Sequence, residues 1–536
     1  MTISRRELLA SIFGAPLALS ACKAAPKLEG EIVGASDHLG HKLRELPPAV
    51  PQQLTRTGVL IVGAGVSGLS AGWRLRKAGY TDFKICELER EAGGTARGGR
   101  SSVTAYPWGA HYVPAPLADD RALITLFSEI GLLDGIDRDG EPVVAEQFRC
   151  RDPEERIFYR GRWYDGLYLR AGASPEDLRQ LRAFTAAVDR WVAFRDAANR
   201  RAFTIPVSRC SADPRCTALD GISMSAWMSA QHLHSPRLRW LVDYACRDDY
   251  GASPDFTSAW AGIFYFASRQ ARAGQESRPL VTFPEGNGRL ARHLYEQISD
   301  HVMVDTAVAE IIPAEHGSTI VTTSSNGTVH GYAADQVIFA APQFIARHVL
   351  RSYRDAPPAH LAEFEYGAWM VANLHLRDRP REKSFPLSWD NVLHDSPSLG
   401  YVVATHQSDL DRGPTVFTYY RPFTDEDPKL GRQKLLASNW QTLADETLSD
   451  LARVHPDLRA LTSRIDIMRW GHAMIRPRVG FLFGGARLTA QRPHRGVHFA
   501  HSDLSGVALF EEAFDNGLRA AEEVLYARNV VTDTMR

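Results

Sequence analysis

No CxxC pair occurs anywhere in the 536 residues. The six cysteines, Cys22, Cys86, Cys150, Cys210, Cys216 and Cys246, lack the spacing of zinc or iron–sulfur ligands, so no metal site is expected. An excess of one charge sign is missing too. The 62 Lys and Arg against 63 Asp and Glu leave a formal net charge of -1. General nucleic-acid binders carry a basic excess, so no nucleic-acid partner is expected. No run of 18 apolar residues is present, which excludes an ordinary membrane-spanning helix. Internal repeats and long low-complexity tracts are absent. What remains, 44% hydrophobic and 23% charged residues, is the balance of a globular protein. At roughly 150 residues per domain the length suggests two to four domains.

The N-terminus reads as an address. Ser4-Arg5-Arg6-Glu7-Leu8-Leu9 is a twin-arginine pattern, and the apolar run Ile12 to Ala21 is short enough for a signal peptide. The run ends in Leu19-Ser20-Ala21-Cys22, which resembles a bacterial lipobox. Residues 1–22 are therefore expected to be a signal peptide and the protein to be exported, with a lipid on Cys22 holding it to a membrane. Twin-arginine export carries folded proteins, so a cofactor is expected to be loaded first. Residues 23–55, punctuated by Pro26, Pro47, Pro48 and Pro51, read as a tether. Within it, the stretch from Gly34 to His41 is less linker-like and is expected to dock on the body. Cys210 and Cys216 leave two readings open, a short-loop disulfide or two free thiols.

Val59-Leu60-Ile61-Val62 has the apolar, β-branched character of a buried parallel strand. Gly63-Ala64-Gly65-Val66-Ser67-Gly68 follows at once and opens a helix-like segment. In such a turn Gly63 permits the bend, Gly65 lets a pyrophosphate approach the backbone and Gly68 lets the helix pack on the strand. The helix N-terminus, with Val66 and Ser67, then offers its positive end to phosphate. A second strand, Phe83 to Cys86, ends at Glu87, nineteen residues beyond Gly68. That is where a carboxylate meets a ribose hydroxyl.

The next residues separate one dinucleotide from another. Glu87 to Arg97 reads E-L-E-R-E-A-G-G-T-A-R, with Gly93, Gly94, Thr95 and Arg97 at its end. It resembles the extended glycine motif of the flavin-containing amine oxidase superfamily, which includes phytoene desaturases and protoporphyrinogen oxidases. Trp108-Gly109-Ala110-His111-Tyr112 is similar to that family's turn beside the flavin ring. Phe283 to Leu290, the strand around Val308, the Val337 to Pro342 strand end and the Gly496 to Asp503 segment fit the same template. The resemblance implies FAD as cofactor. It implies an α/β fold in which a Rossmann-like FAD-binding domain (56–115, 280–345 and 465–536) interleaves with an α+β substrate-binding domain (116–279 and 346–464). It also implies that Gly109, Ala110 and His111 border the flavin, that Val308 meets adenine and that Asp503 meets the ribityl chain or pyrophosphate. Against the family's pattern, either His501 stands where Gly is usual or Asp503 is shifted.

Flavin chemistry needs few catalytic side chains, so the substrate half carries fewer signals. Asp248 and Asp249 form an adjacent acidic pair suited to a cationic amine, or else a helix end with an Arg ion pair. His406 follows a strand-like run and His472 follows Trp470; both are candidate catalytic histidines, His406 as a proton acceptor facing the flavin and His472 as a pocket histidine, and Trp470 is a candidate substrate contact. The region Tyr366 to Leu374 carries no Lys, the residue that holds a water at the flavin in many amine oxidases, and no flavin-linking Cys motif is apparent near the C-terminus. The leading expectation is an exported FAD-dependent oxidoreductase taking a hydride from a small molecule, an amine or polyamine foremost. Its electrons would pass to oxygen or a quinone-type acceptor. The rivals are a C–C dehydrogenase of a lipid or porphyrinogen-like substrate, and a flavin-bearing lipoprotein without turnover.

Overall fold

The computed structural model describes residues 28–381, 384–408, 410–424 and 427–536. The twin-arginine motif and Cys22 lie outside the described residues. Two sheets organise the chain. In the first, the strands Val302–Met303, Phe83–Cys86, Thr55–Val62 and Val329–Phe339 run parallel in that spatial order, and Val497–Phe499 pairs with the last of them. Ser318–Thr323 and Ala307–Pro313 extend this sheet antiparallel. Strand Thr55–Val62 is buried over its last six residues, as its apolar run predicts for a strand covered on both faces.

Helix Val66–Lys77 packs on this sheet and the closing helix Phe510–Ala527 packs on helix Val66–Lys77. The approach is close. A Cβ on Gly517 would lie 2.0 Å from Ser70 Oγ and 2.2 Å from the Ser67 carbonyl oxygen. Ser67 Oγ donates to the Ala513 carbonyl at 2.8 Å, so the two helices are also hydrogen-bonded. A sequence separation of well over 400 residues is thereby closed at the phosphate-facing end of the glycine loop.

The second sheet has eight strands in the order Glu29–Gly34, Thr462–Ile475, Tyr366–Leu376, Thr415–Phe423, Gly400–Val403, Asp390–Leu393, Glu155–Tyr159 and Arg162–Asp165. A helical layer that includes Pro175–Ala193, Pro236–Tyr250 and Ala259–Ala267 buries a separate core rich in Trp, Phe and Met.

Two parts of this arrangement differ from the sequence reading. Residues 29–34, read as tether, form an edge strand parallel to Thr462–Ile475, and Asp37–Lys42 is a short helix. Alternating exposure along Glu29–Gly34 hides the strand from a reading by hydrophobicity, because only one face meets the body. Strand Thr462–Ile475, placed in the FAD-binding part from residue 465 onward, belongs to the second sheet. Of the two readings for Cys210 and Cys216, the structure has free, buried thiols, with Cys210 Sγ 3.2 Å from both the N and the O of Thr204.

Candidate active site

A cavity of about 980 Å³ is walled by residues of both sheets. Its volume is at the upper end of the roughly 300–1,000 Å³ of ligand sites. One part is built from glycine. Gly63 has φ +94° and Gly93 has φ +118°, conformations that favour glycine. Gly65 and Gly93 pair by an isolated bridge, and a Cβ on Gly94 would come within 3.1 Å of Gly65 Cα. Side chains here would fill the space along the backbone. Gly63, Gly65, Val66, Ser67, Gly93, Gly94 and Thr95 all line the cavity. Gly68 does not line it; a Cβ there would sit 1.9 Å from the Gly63 oxygen, so it serves the strand–helix contact.

Glu87 lines the same wall, held by two backbone donors: Ala64 N–H at 2.6 Å and Glu89 N–H at 2.9 Å. Burial pushes its carboxyl pKa up, and these two bonds act the other way. Arg97 turns from the turn that bears it toward Glu89, at 4.0 Å, and lies over the Trp470 ring, 5.5 Å from its centroid. Trp470 donates from Nε1 to the Trp108 carbonyl at 2.6 Å. Val308 lies on the lining and Gly109, Ala110 and His111 continue it.

Asp503 is also on the lining, in the short helical turn Ser502–Leu504. It accepts from Tyr366 Oη at 2.7 Å and from the Gln343 N–H at 2.9 Å, with His501 Nδ1 at 2.9 Å from its other oxygen. Burial alone would raise the pKa of Asp503, yet His501 and these bonds hold it below the ordinary carboxylate value. Asn287, 1% exposed and on the lining, has an Oδ1 without a hydrogen-bond partner. A glycine-lined wall, a helix N-terminus, a fixed carboxylate at each side and an unsatisfied acceptor fit the phosphates and hydroxyls of FAD.

The other part of the cavity is acidic and aromatic. Glu155 and Asp390 are register partners on adjacent parallel strands. Asp248 comes from the last turn of helix Pro236–Tyr250, and Glu154 joins them on the lining. Burial and the neighbouring carboxylates push the Glu155 and Asp248 pKa values well up, and burial pushes Asp390 up to about 7. Tyr244 Oη donates to Asp390 at 2.9 Å. Asp249 is committed elsewhere: both its oxygens lie 2.9 Å from Arg269 Nη2 in a buried ion pair. The Asp248–Asp249 pair is therefore split, with Asp248 facing the carboxylate cluster and Asp249 serving Arg269. Around them His111 stacks on Tyr420 at 4.7 Å, and Trp389 lies 5.3 Å from His111 and 5.9 Å from Tyr112. Burial lowers the His111 pKa to about 4, so the ring is neutral.

The two histidines proposed from sequence separate. His472 lines the cavity, stacked on Phe344 at 4.0 Å. Burial, then the charges of Arg432, Arg44 and His41, lower its pKa to about 3, so it is a neutral ring near the Asp503 part of the cavity. His406 does not reach the cavity. It is 5% exposed in the turn His406–Ser408, with Nε2 2.7 Å from the Arg151 carbonyl oxygen. That contact with the peptide holds the ring outside the cavity. Sequence reasoning missed Glu154, Glu155 and Asp390. Their signal, acids at the first positions of apolar strands, is present in Glu154-Glu155 and in Trp389-Asp390 but is common in surface strands.

Known proteins bear on this geometry. A family model described as flavin containing amine oxidoreductase matches residues 66–525. Among solved structures the chain is similar to putrescine oxidase bound to putrescine, at 18% identity over 88% of this chain and 100% of that one, with a TM-score of 0.64. It is also similar to cyclohexylamine oxidase from Brevibacterium oxydans IH-35A, at 17% identity over 88% and 99%, with a TM-score of 0.60. A CLA-producing fatty acid isomerase from P. acnes matches at 14% identity over 88% and 98%, with a TM-score of 0.61. At these identities the likenesses show the fold. No curated protein matches the chain.

Proposed function

Since the chain belongs to the flavin containing amine oxidoreductase family, and is thereby a FAD-dependent oxidoreductase, we propose that its substrate is an amine, polyamines included, bound as a cation by Glu155, Asp248 and Asp390. One observation carries the reading. These carboxylates share a cavity with the glycine loops, and the nearby guanidinium of Arg269 is already paired with Asp249. Buried like charges repel and take up protons; an ammonium group restores their ionisation and is stabilised in return. Trp389, Tyr112 and Tyr420 add ring faces that favour a cation over a neutral ligand.

When bound, FAD would supply the acceptor for a hydride equivalent from the carbon next to nitrogen. An amine must be neutral to give it up. Asp390, poised near pH 7 and hydrogen-bonded by Tyr244, is the group we assign to take the ammonium proton at Oδ1 or Oδ2. His111 stays neutral and, with Tyr420 and Trp389, shapes and dries the space between the carboxylates and the glycine loops. Glu87, Asp503 and the Gly63–Ser67 turn hold the cofactor. The acidic wall disfavours an apolar C–C dehydrogenase substrate, which would leave these carboxylates buried without a counter-charge.

Strand Tyr366–Leu376 carries no Lys, which supports a quinone-type acceptor beside oxygen. Export and anchoring through a lipid on Cys22 are further proposals, supported by the Arg5-Arg6 and Leu19–Cys22 motifs. Cys22→Ser would move the protein from the membrane to the soluble fraction; retention on the membrane would contradict the anchor. For the substrate, anaerobic titration of the FAD-loaded protein with mono-, di- and polyamines should bleach the flavin. Absence of bleaching by every amine, with bleaching by an apolar alkene or porphyrinogen, would overturn the amine reading.

A further inference from the structure

We propose that residues 29–44 are a cofactor strap: a segment N-terminal to the glycine-loop strand that closes the cavity wall over the FAD and slows its release. Three observations carry it. Ala35, Ser36, Asp37, Gly40, His41 and Arg44 line the same cavity as Gly63, Gly65 and Glu87. The segment is tied to the ribose-facing turn by Ser36, whose N–H and Oγ each donate to Glu89 at 2.8 Å. Glu89 N–H donates in turn to Glu87, and Glu87 accepts from Ala64 inside the glycine loop. A continuous run of hydrogen bonds therefore joins the strap to the loop that faces the pyrophosphate.

The strap's other end is fixed to the second sheet. Glu29–Gly34 pairs in parallel with Thr462–Ile475, and Gly30, at φ +145°, is the point of closest approach. A Cβ there would lie 1.9 Å from the Ile465 carbonyl oxygen, which also accepts from Trp440 Nε1. The segment thus spans from one sheet to the other across the cavity. Arg44 brings positive charge to the part of the wall near His472 and Asp503, where a dinucleotide brings its diphosphate. A strap made before export, with the cofactor beneath it, keeps the cofactor in place after the protein leaves the compartment that supplies it.

The test is the rate of FAD release from the holoprotein, followed as the rise in free-flavin fluorescence after dilution, with apo-protein melting as a control for folding. Ser36→Ala removes one charge-assisted bond and should speed release about fivefold to tenfold. Gly30→Val touches nothing in the cavity but pushes the strand off Ile465, and should speed release at least as much. Arg44→Ala should do so more in low salt than in high salt. Faster release in Ser36→Ala and Gly30→Val with apo-protein melting unchanged is the expected result. Release within twofold of the wild type in both variants, with the strand shown by hydrogen exchange to be detached in Gly30→Val, would overturn the proposal.

Discussion

Gly517→Ala sets two effects of opposite sign against each other at the helix pair that supports the glycine loop. Gly517 lies inside helix Phe510–Ala527, where Ala is better than Gly by about 1 kcal/mol. Propensity alone predicts stabilisation. The added methyl, however, would sit 2.0 Å from Ser70 Oγ and 2.2 Å from the Ser67 carbonyl oxygen. Ser70 can rotate, but the Ser67 oxygen is backbone, and ordinary contact requires about 1 Å more. One helix must move against the other, at roughly 1–3 kcal/mol for overpacking a well-packed contact. The net expectation is a loss of up to about 2 kcal/mol. The same movement stretches the 2.8 Å bond from Ser67 to Ala513 and displaces the first turn of helix Val66–Lys77. FAD affinity should therefore fall, by up to about thirtyfold, in step with the loss in stability. Apo-protein denaturation and FAD titration by fluorescence quenching measure the two quantities. A more stable Gly517→Ala variant with unchanged FAD affinity would refute the close-contact argument.

Other expectations follow from the electrostatics. Glu155→Gln or Asp248→Asn should weaken amine binding about tenfold to a hundredfold, as removal of a charge-assisted bond does, with smaller effect on FAD affinity; equal loss for a neutral ligand would count against an ionic role. Asp390 is raised to about 7, so its charge is lost as pH falls through 7; amine affinity should fall with it, and Asp390→Asn should remove that step from the binding profile. Glu512, wholly buried on the closing helix, is raised to about 8. Its stability contribution is present below the unfolded carboxylate value and is lost as pH rises through 8. Apo-protein stability should decline from pH 5 to pH 9 by an amount on the order of 4 kcal/mol from this group, and Glu512→Gln should flatten the decline. His406→Ala should lower stability by about 1–2 kcal/mol and leave anaerobic flavin reduction by an amine unchanged; a slowed reduction would return His406 to the site.

The nucleotide half was legible in the sequence because its constraints are local. Gly63, Gly65 and Gly68 lie within six residues; the structure repeats the reason for Gly63 as a positive φ and for Gly68 as a forbidden Cβ, while Gly65 keeps the cavity wall free of a side chain. Glu87 is fixed by strand length, and Asp503 by the end of a short buried strand. The acidic wall was not legible in the same way. Glu155, Asp248 and Asp390 come from two strands and a helix far apart in the chain, and only pairing of Glu155–Tyr159 with Asp390–Leu393 brings two of them side by side. Asp248 and Asp249 read as a pair, but neighbouring helix positions point roughly 100° apart, and a single sequence does not say which one meets Arg269. His406 illustrates the ambiguity at a strand end, where a turn of one residue directs a side chain into the cavity or toward a peptide. Gly34 to His41 reads as a docking segment, but residues 29–33 read as linker from the prolines that flank the strap, Pro26 and Pro47, and from their mixed polarity. Its structure comes from pairing with residues more than 400 positions away, which local composition does not encode.

The central claim, that an acidic cation site and a FAD site share one cavity, is tested most directly by anaerobic reduction of the FAD-loaded protein by a diamine, compared between wild type and Glu155→Gln/Asp248→Asn. The account predicts bleaching of the wild-type flavin, and in the variant a concentration dependence shifted upward by at least tenfold at unchanged FAD content. Reduction of both proteins at the same diamine concentrations, or of the wild type by apolar substrates alone, would contradict it.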